Sequence, residues 1–221
     1  MDFSSAEENY LKAIYHLSEQ QKEEVSTNSI ADELQTKPAS VSDMLKKLAA
    51  KKVINYVKYK GVTLTDKGRS VALLIVRKHR LWEVFLVEKL KFNWDEVHEV
   101  AEQLEHIKSR SMIERLDMFL GFPKFDPHGD PIPDKNGNIA VLTAKPLAEG
   151  ITGNSYKVVS VSDSDAALLQ YLDKVGISIG TVLQITDKIV YDSSIEINID
   201  NQNRQQLVSK MVSENILVVD I

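Results

Sequence analysis

Cysteine is absent from the 221 residues, which excludes disulfides, thiolate zinc sites and cysteine-ligated iron–sulfur clusters. Any metal the chain holds must therefore be bound through nitrogen and oxygen, and redox sensing through a thiol is ruled out. Long apolar runs are missing too, since no stretch approaches the roughly 18 uninterrupted apolar residues of a membrane-spanning helix. The first residues, including Asp2, Glu7 and Glu8, lack a basic region followed by an apolar core. The expected compartment is the cytoplasm, with no membrane partner. A composition of 43% hydrophobic and 27% charged residues is ordinary for a globular chain of one large or two to three small domains.

An excess of basic charge is concentrated in one segment. From Lys37 to Arg80 there are twelve Lys or Arg against only Asp43 and Asp66, a local balance of +10 in a chain whose net charge is −5. From Gly150 to Ile221 the balance is −4. Clustering of this kind is the electrostatic footprint of a nucleic-acid-binding module within an acidic protein, although a basic face also suits an acidic protein partner.

The order of elements sharpens that reading. Ser5 with Glu8 has the spacing of a capping box ahead of Leu11, Ile14, Tyr15 and Leu17, which predicts a first amphipathic helix. Ser26-Thr27-Asn28 caps a second helix with Ile30, Ala31 and Leu34, and Pro38 suits the first position of a third. In the third helix Val41, Leu45 and Leu48 face inward, leaving Lys37, Pro38, Ala39, Ser40, Ser42, Asp43, Lys46 and Lys47 as small, polar or cationic groups able to approach a major groove. The β-branched and aromatic run from Val53 to Thr65, broken by Gly61, predicts a hairpin. Lys58, Tyr59 and Lys60 sit near its tip, placed to meet phosphate. Short helices, a recognition-type helix and a basic hairpin in this order make a winged helix-turn-helix, with double-stranded DNA as partner.

A long helix follows from Asp66 to about Leu90, carrying His79 and Glu83 one turn apart on a single face. After Phe92-Asn93-Trp94, a helix starting near Asp95 places His98, Glu102, Glu105 and His106 within one arc of roughly 100°, with Val97, Val100, Leu104 and Ile107 opposite. Charged helix faces are commonly just solvated. Three of the five histidines lie on these two segments, however, and histidine is not a favoured solubilising residue. The pattern points to imidazole and carboxylate ligands for a divalent cation such as manganese, iron(II) or zinc. A further helix from about Ser109, with Met112, Ile113, Leu116, Phe119 and Leu120, suggests a helical dimer interface.

Proline and glycine punctuate Gly121 to about Gly153 and mark a linker. Beyond it, Ser155–Val161, Thr181–Thr186, Ile195–Ile199 and Asn215–Asp220 read as strands, with one helix at about Ala166 to Asp173. The class expected is mainly α with β: a winged helix-turn-helix over residues 1–72, a helical metal-binding and dimerisation domain over 73–140 with a linker to about 153, and a small SH3-like (FeoA-like) β-barrel over 154–221.

Several motifs in order carry a resemblance. They are Glu8-Asn9-Tyr10-Leu11, Pro38-Ala39-Ser40-Val41-Ser42, Leu64-Thr65-Asp66-Lys67-Gly68, Arg77-Lys78-His79-Arg80-Leu81, His98, Glu105-His106 and Asp126-Pro127-His128-Gly129-Asp130-Pro131-Ile132-Pro133. Together they make the chain similar, over nearly its whole length, to the diphtheria toxin repressor family of metal-dependent transcriptional repressors, which includes manganese transport regulators. The resemblance implies a homodimer that binds a palindromic operator of metal-uptake genes when metal bridges the winged helix to the dimerisation domain. It implies an ancillary site at His79, Glu83 and His98 and a regulatory site at Glu102, Glu105 and His106. Glu102 stands where iron-responsive members tend to have cysteine and manganese-responsive members glutamate, so Mn2+ is the expected cofactor and Fe2+ the alternative.

The chain also departs from the family pattern. Asn9 replaces an aspartate or methionine ligand and can bind metal through its carbonyl oxygen. Lys12 stands where some two-domain manganese regulators use glutamate. Asp163 or Asp165 can fill the ligand role that the third domain plays in iron-type relatives. His16 and His128 are expected to be structural or solvent-facing. Two rivals from other classes are a metal-dependent hydrolase and a DNA-binding protein switched by an organic effector.

Overall fold

A computed structural model describes residues 2–21, 24–57, 60–162, 165–199 and 205–221. Lys58, Tyr59 and Asp163 lie outside the described residues. The chain divides into two compact units, one built from residues up to His79 together with Gln103–Arg110 and Pro133–Ile139, the other from Arg80–Glu102, Ser111–Ile132 and Ala140–Ile221.

In the first unit α1 (Ser5–Gln21), α2 (Thr27–Glu33) and α3 (Pro38–Ala50) precede a hairpin of β1 (Ile54–Val57) and β2 (Gly61–Leu64). The hairpin pairs Ile54 with Leu64 and Val57 with Gly61 in antiparallel register. Leu11 and Ile14 of α1, Ile30 of α2, and Val41, Leu45 and Leu48 of α3 are fully buried in one core, as 3.6-residue periodicity requires. Pro38 occupies the first turn of α3, where its missing N–H costs nothing. The cap of α1 falls one residue earlier than the spacing predicts. Ser4 Oγ accepts the Glu7 N–H at 3.3 Å and Glu7 Oε2 accepts the Ser4 N–H at 2.9 Å. The reciprocal box is thus Ser4 with Glu7, not Ser5 with Glu8, which frees Glu8 for other work.

The long helix α4 (Asp66–Glu88) contributes its first half to this unit and the remainder to the second. Gly68 lets its first turn approach the hairpin, because a Cβ there would stand 1.8 Å from the Val53 carbonyl oxygen.

The second unit adds α5 (Val97–Leu104), α6 (Arg110–Phe119) and a six-stranded antiparallel sheet. Its strands are β3 (Lys145–Pro146), β4 (Ser155–Val161), β5 (Val182–Lys188), β6 (Ile195–Ile199), β7 (Gln205–Val208) and β8 (Ile216–Asp220), in spatial order β3-β8-β4-β5-β6-β7. Helix α7 (Ala166–Val175) covers a core of Tyr156, Val158, Leu169, Leu172, Leu183, Ile185, Ile197 and Val218, and α8 (Lys210–Asn215) leads into β8. Kinks between Val158 and Ser160 and between Ile185 and Asp187 shift the register and curl the sheet, as bulges do. This is the small SH3-like sheet domain expected for the C-terminal part of the chain.

Four elements escaped the sequence pattern. β3 and the turn at Leu147–Glu149 lie inside the segment expected to be linker, and Leu147 is fully buried in the sheet core. β7 shows no apolar alternation because only Val208 is buried. α8 is too short for a helical period to register.

One consequence concerns Glu7. Burial pushes its carboxyl up, but the Lys51 ammonium at 2.6 Å and the Ser4 N–H outweigh this and hold it below its ordinary value of 4.5. As pH falls, the unfolded chain therefore takes up the proton first. The stabilisation is complete above the ordinary carboxylate range and is lost as pH drops through the folded value. Glu7→Ala is expected to cost about 1–2 kcal/mol at pH 7, with the gap narrowing below about pH 4. Urea unfolding across that range measures it, and a gap independent of pH would mean that the ionised carboxylate contributes nothing.

Candidate functional site

The first unit gathers one set of candidate ligands. Glu8, Asn9 and Lys12 come from α1, His79 from α4, and Glu105 and His106 from the segment after α5. That placement corrects the single-stripe expectation: α5 ends at Leu104, so Glu105 and His106 lie in the turn that follows and do not extend the helical face of His98 and Glu102. The turn closes with the Ile107 N–H donating to the Leu104 carbonyl.

Glu105 has no solvent exposure. Its Oε2 accepts two donors, the Lys12 ammonium at 2.8 Å and His79 Nδ1–H at 2.7 Å. Burial pushes the Glu105 carboxyl up, yet the His79 hydrogen bond and the Lys12 charge prevail and hold it below 4.5, so it is ionised at neutral pH. The other oxygen, Oε1, is buried without a hydrogen-bond partner, and so is Asn9 Oδ1. A buried acceptor without a donor costs about 1–3 kcal/mol. Each is an oxygen whose cost a cation would relieve.

His106 is prepared for the same role. Its Nδ1–H donates to Glu8 Oε2 at 2.7 Å, which in the neutral ring leaves the Nε2 lone pair directed out, 4.0 Å from Glu105 Oε1. A carboxylate behind a metal-binding imidazole fixes its tautomer and raises its basicity. Glu8, with the Lys78 ammonium 3.7 Å away, escaped sequence reasoning because it was assigned to the cap. Once Ser4 takes the cap, the i,i+4 spacing of Glu8 and Lys12 places both on one face of α1.

The second unit holds a different set. Glu83 Oε1 lies 3.6 Å from His98 Nδ1 and 3.9 Å from His128 Nδ1, and His98 Nε2 lies 3.6 Å from Glu102 Oε1. Glu83 is nearly fully buried, while His98 is half exposed. Glu83, Asp126 and His128 are all buried and bring ligand atoms within 4.8 Å of one another, a second group able to hold a cation. His128 Nε2–H donates to the Trp94 carbonyl at 2.8 Å and the ring stacks on Trp94. Its Nδ1 is thereby turned toward the Glu83 carboxylate. Burial, together with the Glu83 and Asp130 carboxylates, raises the Asp126 carboxyl well above its ordinary value, against the opposing pull of Arg80.

Arg80 clamps this loop by donating to Asp130 Oδ2 at 2.9 Å and to the Pro131 carbonyl at 2.7 Å. Gly129, at φ +87°, is required there because a Cβ would meet the Val159 carbonyl oxygen at 2.0 Å. Asp126 and His128 were not among the candidate ligands read from the sequence. Their signal was a dense run of metal-capable residues between prolines. Asp165, expected as a possible ligand, is exposed and caps α7, its Oδ1 accepting the Ala167 N–H at 2.8 Å.

The basic face is where periodicity places it. Lys37, Pro38, Ala39, Ser40, Asp43, Lys46 and Lys47 are exposed on α3 and Lys60 on the hairpin. Ser42 is partly buried and donates to the Pro38 carbonyl. In the second unit, Met118, Phe119 and Phe122 are more than half exposed, an unusual cost for three large apolar residues in one short stretch.

Comparison with known proteins matches all three parts of the chain. Residues 2–62 fit the family described as iron dependent repressor, N-terminal DNA binding domain. Residues 65–134 fit the iron dependent repressor, metal binding and dimerisation domain, and residues 145–220 fit the FeoA domain. An uncharacterized HTH-type transcriptional regulator of Methanocaldococcus jannaschii is 38% identical over 117 residues, 53% of this chain and 94% of its own. The iron-dependent repressor IdeR of Mycobacterium leprae is 33% identical over 132 residues, 60% of this chain but only 57% of IdeR. A solved manganese-dependent transcriptional repressor in complex with manganese is 36% identical, with a TM-score of 0.89 over 97% of this chain and 100% of that one.

The Glu8–His106 pair yields a test. Glu8→Ala is expected to weaken binding of a divalent ion by roughly ten- to a hundredfold, the usual effect of removing the group behind a ligating imidazole. A titration monitored by isothermal calorimetry reads this. Unchanged affinity would mean that His106 is not oriented through Glu8.

Proposed function

Because this chain belongs to the diphtheria toxin repressor family of metal-dependent transcriptional repressors, which bind DNA and are not enzymes, we propose that its effector is manganese(II). The observation that carries this reading is Glu105 Oε1, buried without a donor and 4.0 Å from the Nε2 of His106, whose other ring nitrogen is held by Glu8; Asn9 Oδ1 is likewise buried without a donor. The donors are oxygen and nitrogen without sulfur. Such a set suits a hard or borderline ion, and the nearness of a manganese-dependent repressor supports the same choice.

The residues proposed to hold the regulatory ion are Asn9, Glu102, Glu105 and His106. His79, Glu83 and His98 are the proposed ancillary set, with Asp126 and His128 as further donors to Glu83. A bound divalent ion supplies positive charge and fixed coordination bonds to these groups. Asn9 lies on α1, the first helix of the DNA-binding unit, and Glu105 and His106 lie in the turn after α5. Ligation from both segments ties the orientation of α1 to metal occupancy, a population shift rather than a chemical step.

The parts divide the work. Residues 1–72 carry DNA binding, 73–140 carry metal sensing and dimerisation, with a linker to about 153, and 154–221 form the FeoA-like domain. Two copies associate through the helical domain, where Phe119 and Phe122 offer apolar surface. The dimer presents its two α3 helices to the half-sites of a palindromic operator, in the cytoplasm and upstream of metal-uptake genes. Iron(II) is the second reading, favoured by the iron-dependent name of the matching family and compatible with the same donors.

Fluorescence anisotropy on the promoter of a neighbouring metal-transporter gene tests this at fixed salt, because phosphate contacts make affinity steeply salt-dependent. Manganese is expected to tighten binding at least tenfold over chelator, about 1.4 kcal/mol. The Glu102→Ala, His106→Ala double variant should not respond. A response to anaerobic iron(II) alone would reassign the effector, and affinity indifferent to chelator would end the metal reading in favour of an organic effector.

A further inference from the structure

Glu105 raises a question that ligation does not answer: what keeps a carboxylate with no solvent exposure in place before metal arrives? The nearest positive charge is Lys12, itself nearly buried, with its ammonium 2.8 Å from Glu105 Oε2 and the two side chains 11% and 0% exposed. His79 donates to that same oxygen. The two oxygens of Glu105 thus have different environments, because Oε2 is saturated by Lys12 and His79 while Oε1 is left without a donor. A charge removed from water is tolerated only when paired, and Lys12 supplies the pairing from within the chain.

We propose that Lys12 is the resident cation of this centre: it holds Glu105 folded inside the protein in the absence of metal, and its charge raises the metal concentration at which the centre loads. The proposal rests on the reading of Glu105 as a metal ligand and adds regulation to it. An incoming divalent ion at Oε1 meets the repulsion of a fixed ammonium on the far side of the same carboxylate. It also gains less by neutralising Glu105 than it would from a bare anion, since Lys12 already does part of that. The threshold of the sensor is therefore set by a residue that is not a ligand. Arginine at this position would preserve the effect, whereas an uncharged side chain of similar length would abolish it.

The variants are Lys12→Met, which keeps the length and removes the charge, and Lys12→Arg, which keeps the charge. Two quantities are read on the full chain: Mn2+ affinity, from the electron paramagnetic resonance signal of free Mn2+, and the thermal midpoint with and without chelator. For Lys12→Met the expected result is Mn2+ binding at least tenfold tighter than wild type, a lower midpoint in chelator, and a larger rise in midpoint on adding Mn2+. Lys12→Arg should match wild type in all three. A Lys12→Met protein that folds only with Mn2+ supports the proposal, because the ion then replaces the missing charge. Equal or weaker Mn2+ binding by folded Lys12→Met overturns it, as does a variant that stays unfolded in saturating Mn2+. A wild-type protein that binds no Mn2+ would instead defeat the metal reading itself, so the two failures are distinguishable.

Discussion

A carboxylate without access to water must be matched by positive charge, and much of this molecule is arranged around that requirement at Glu105. The demand is met locally by Lys12 and His79 on one oxygen, while the other is left open. Because Lys12 projects from α1 and His79 from α4, satisfying one buried charge organises helices far apart in sequence. The core formed by Leu11, Ile14, Leu45 and Leu48 supplies the rigidity that holds these ligand-bearing helices in place. Burial drives the packing.

The second unit follows the same logic with the sign partly reversed. Glu83, Asp126 and Asp130 concentrate negative charge near the loop through Asp126 to Pro131, and Arg80 offsets it with an ion pair to Asp126 at 3.3 Å and another to Asp130 at 2.9 Å. His128 faces Glu83 with Nδ1 at 3.9 Å while its opposite nitrogen donates to the Trp94 carbonyl. Such an arrangement is under-neutralised, and its carboxyl groups resist ionising together. Irregular backbone between prolines, held by Arg80 and by the close approach at Gly129, presents these side chains with a precision that a flexible loop could not give.

The first unit holds both the basic face of α3 and the proposed cation centre around Glu105. The exposed face of α3 carries little bulk and much positive charge, suited to phosphate and groove, while α1 carries Asn9, proposed as a ligand, and Lys12, the partner of Glu105. Both helices share one core, so the packing of α1 and that of α3 depend on each other. The SH3-like sheet is a separate core built from strands and α7, and its exposed tip and acidic balance set it apart from the basic N-terminal face.

Much of this was legible from residue order. The periodicity of Val41, Leu45 and Leu48, the β-branched hairpin after Val53, the helical patterns with His79 and Glu83, and the strands at Ser155–Val161 and Ile195–Ile199 follow from local spacing, because side-chain direction in helices and strands repeats at 3.6 and 2 residues. The chemical character of the centre was equally local, since the lack of cysteine leaves only nitrogen and oxygen donors. Only the tertiary structure decided which donors share a space. Spacing placed Glu105 and His106 on the stripe of His98 and Glu102, but the helix stops at Leu104. Spacing gave Glu8 to the cap, but Ser4 and Glu7 took it and Glu8 turned to His106. Lys12 appeared only as a departure from a pattern, and its meaning came from a carboxylate 93 residues away. Partnerships of that kind depend on how distant segments pack, and no local period encodes them.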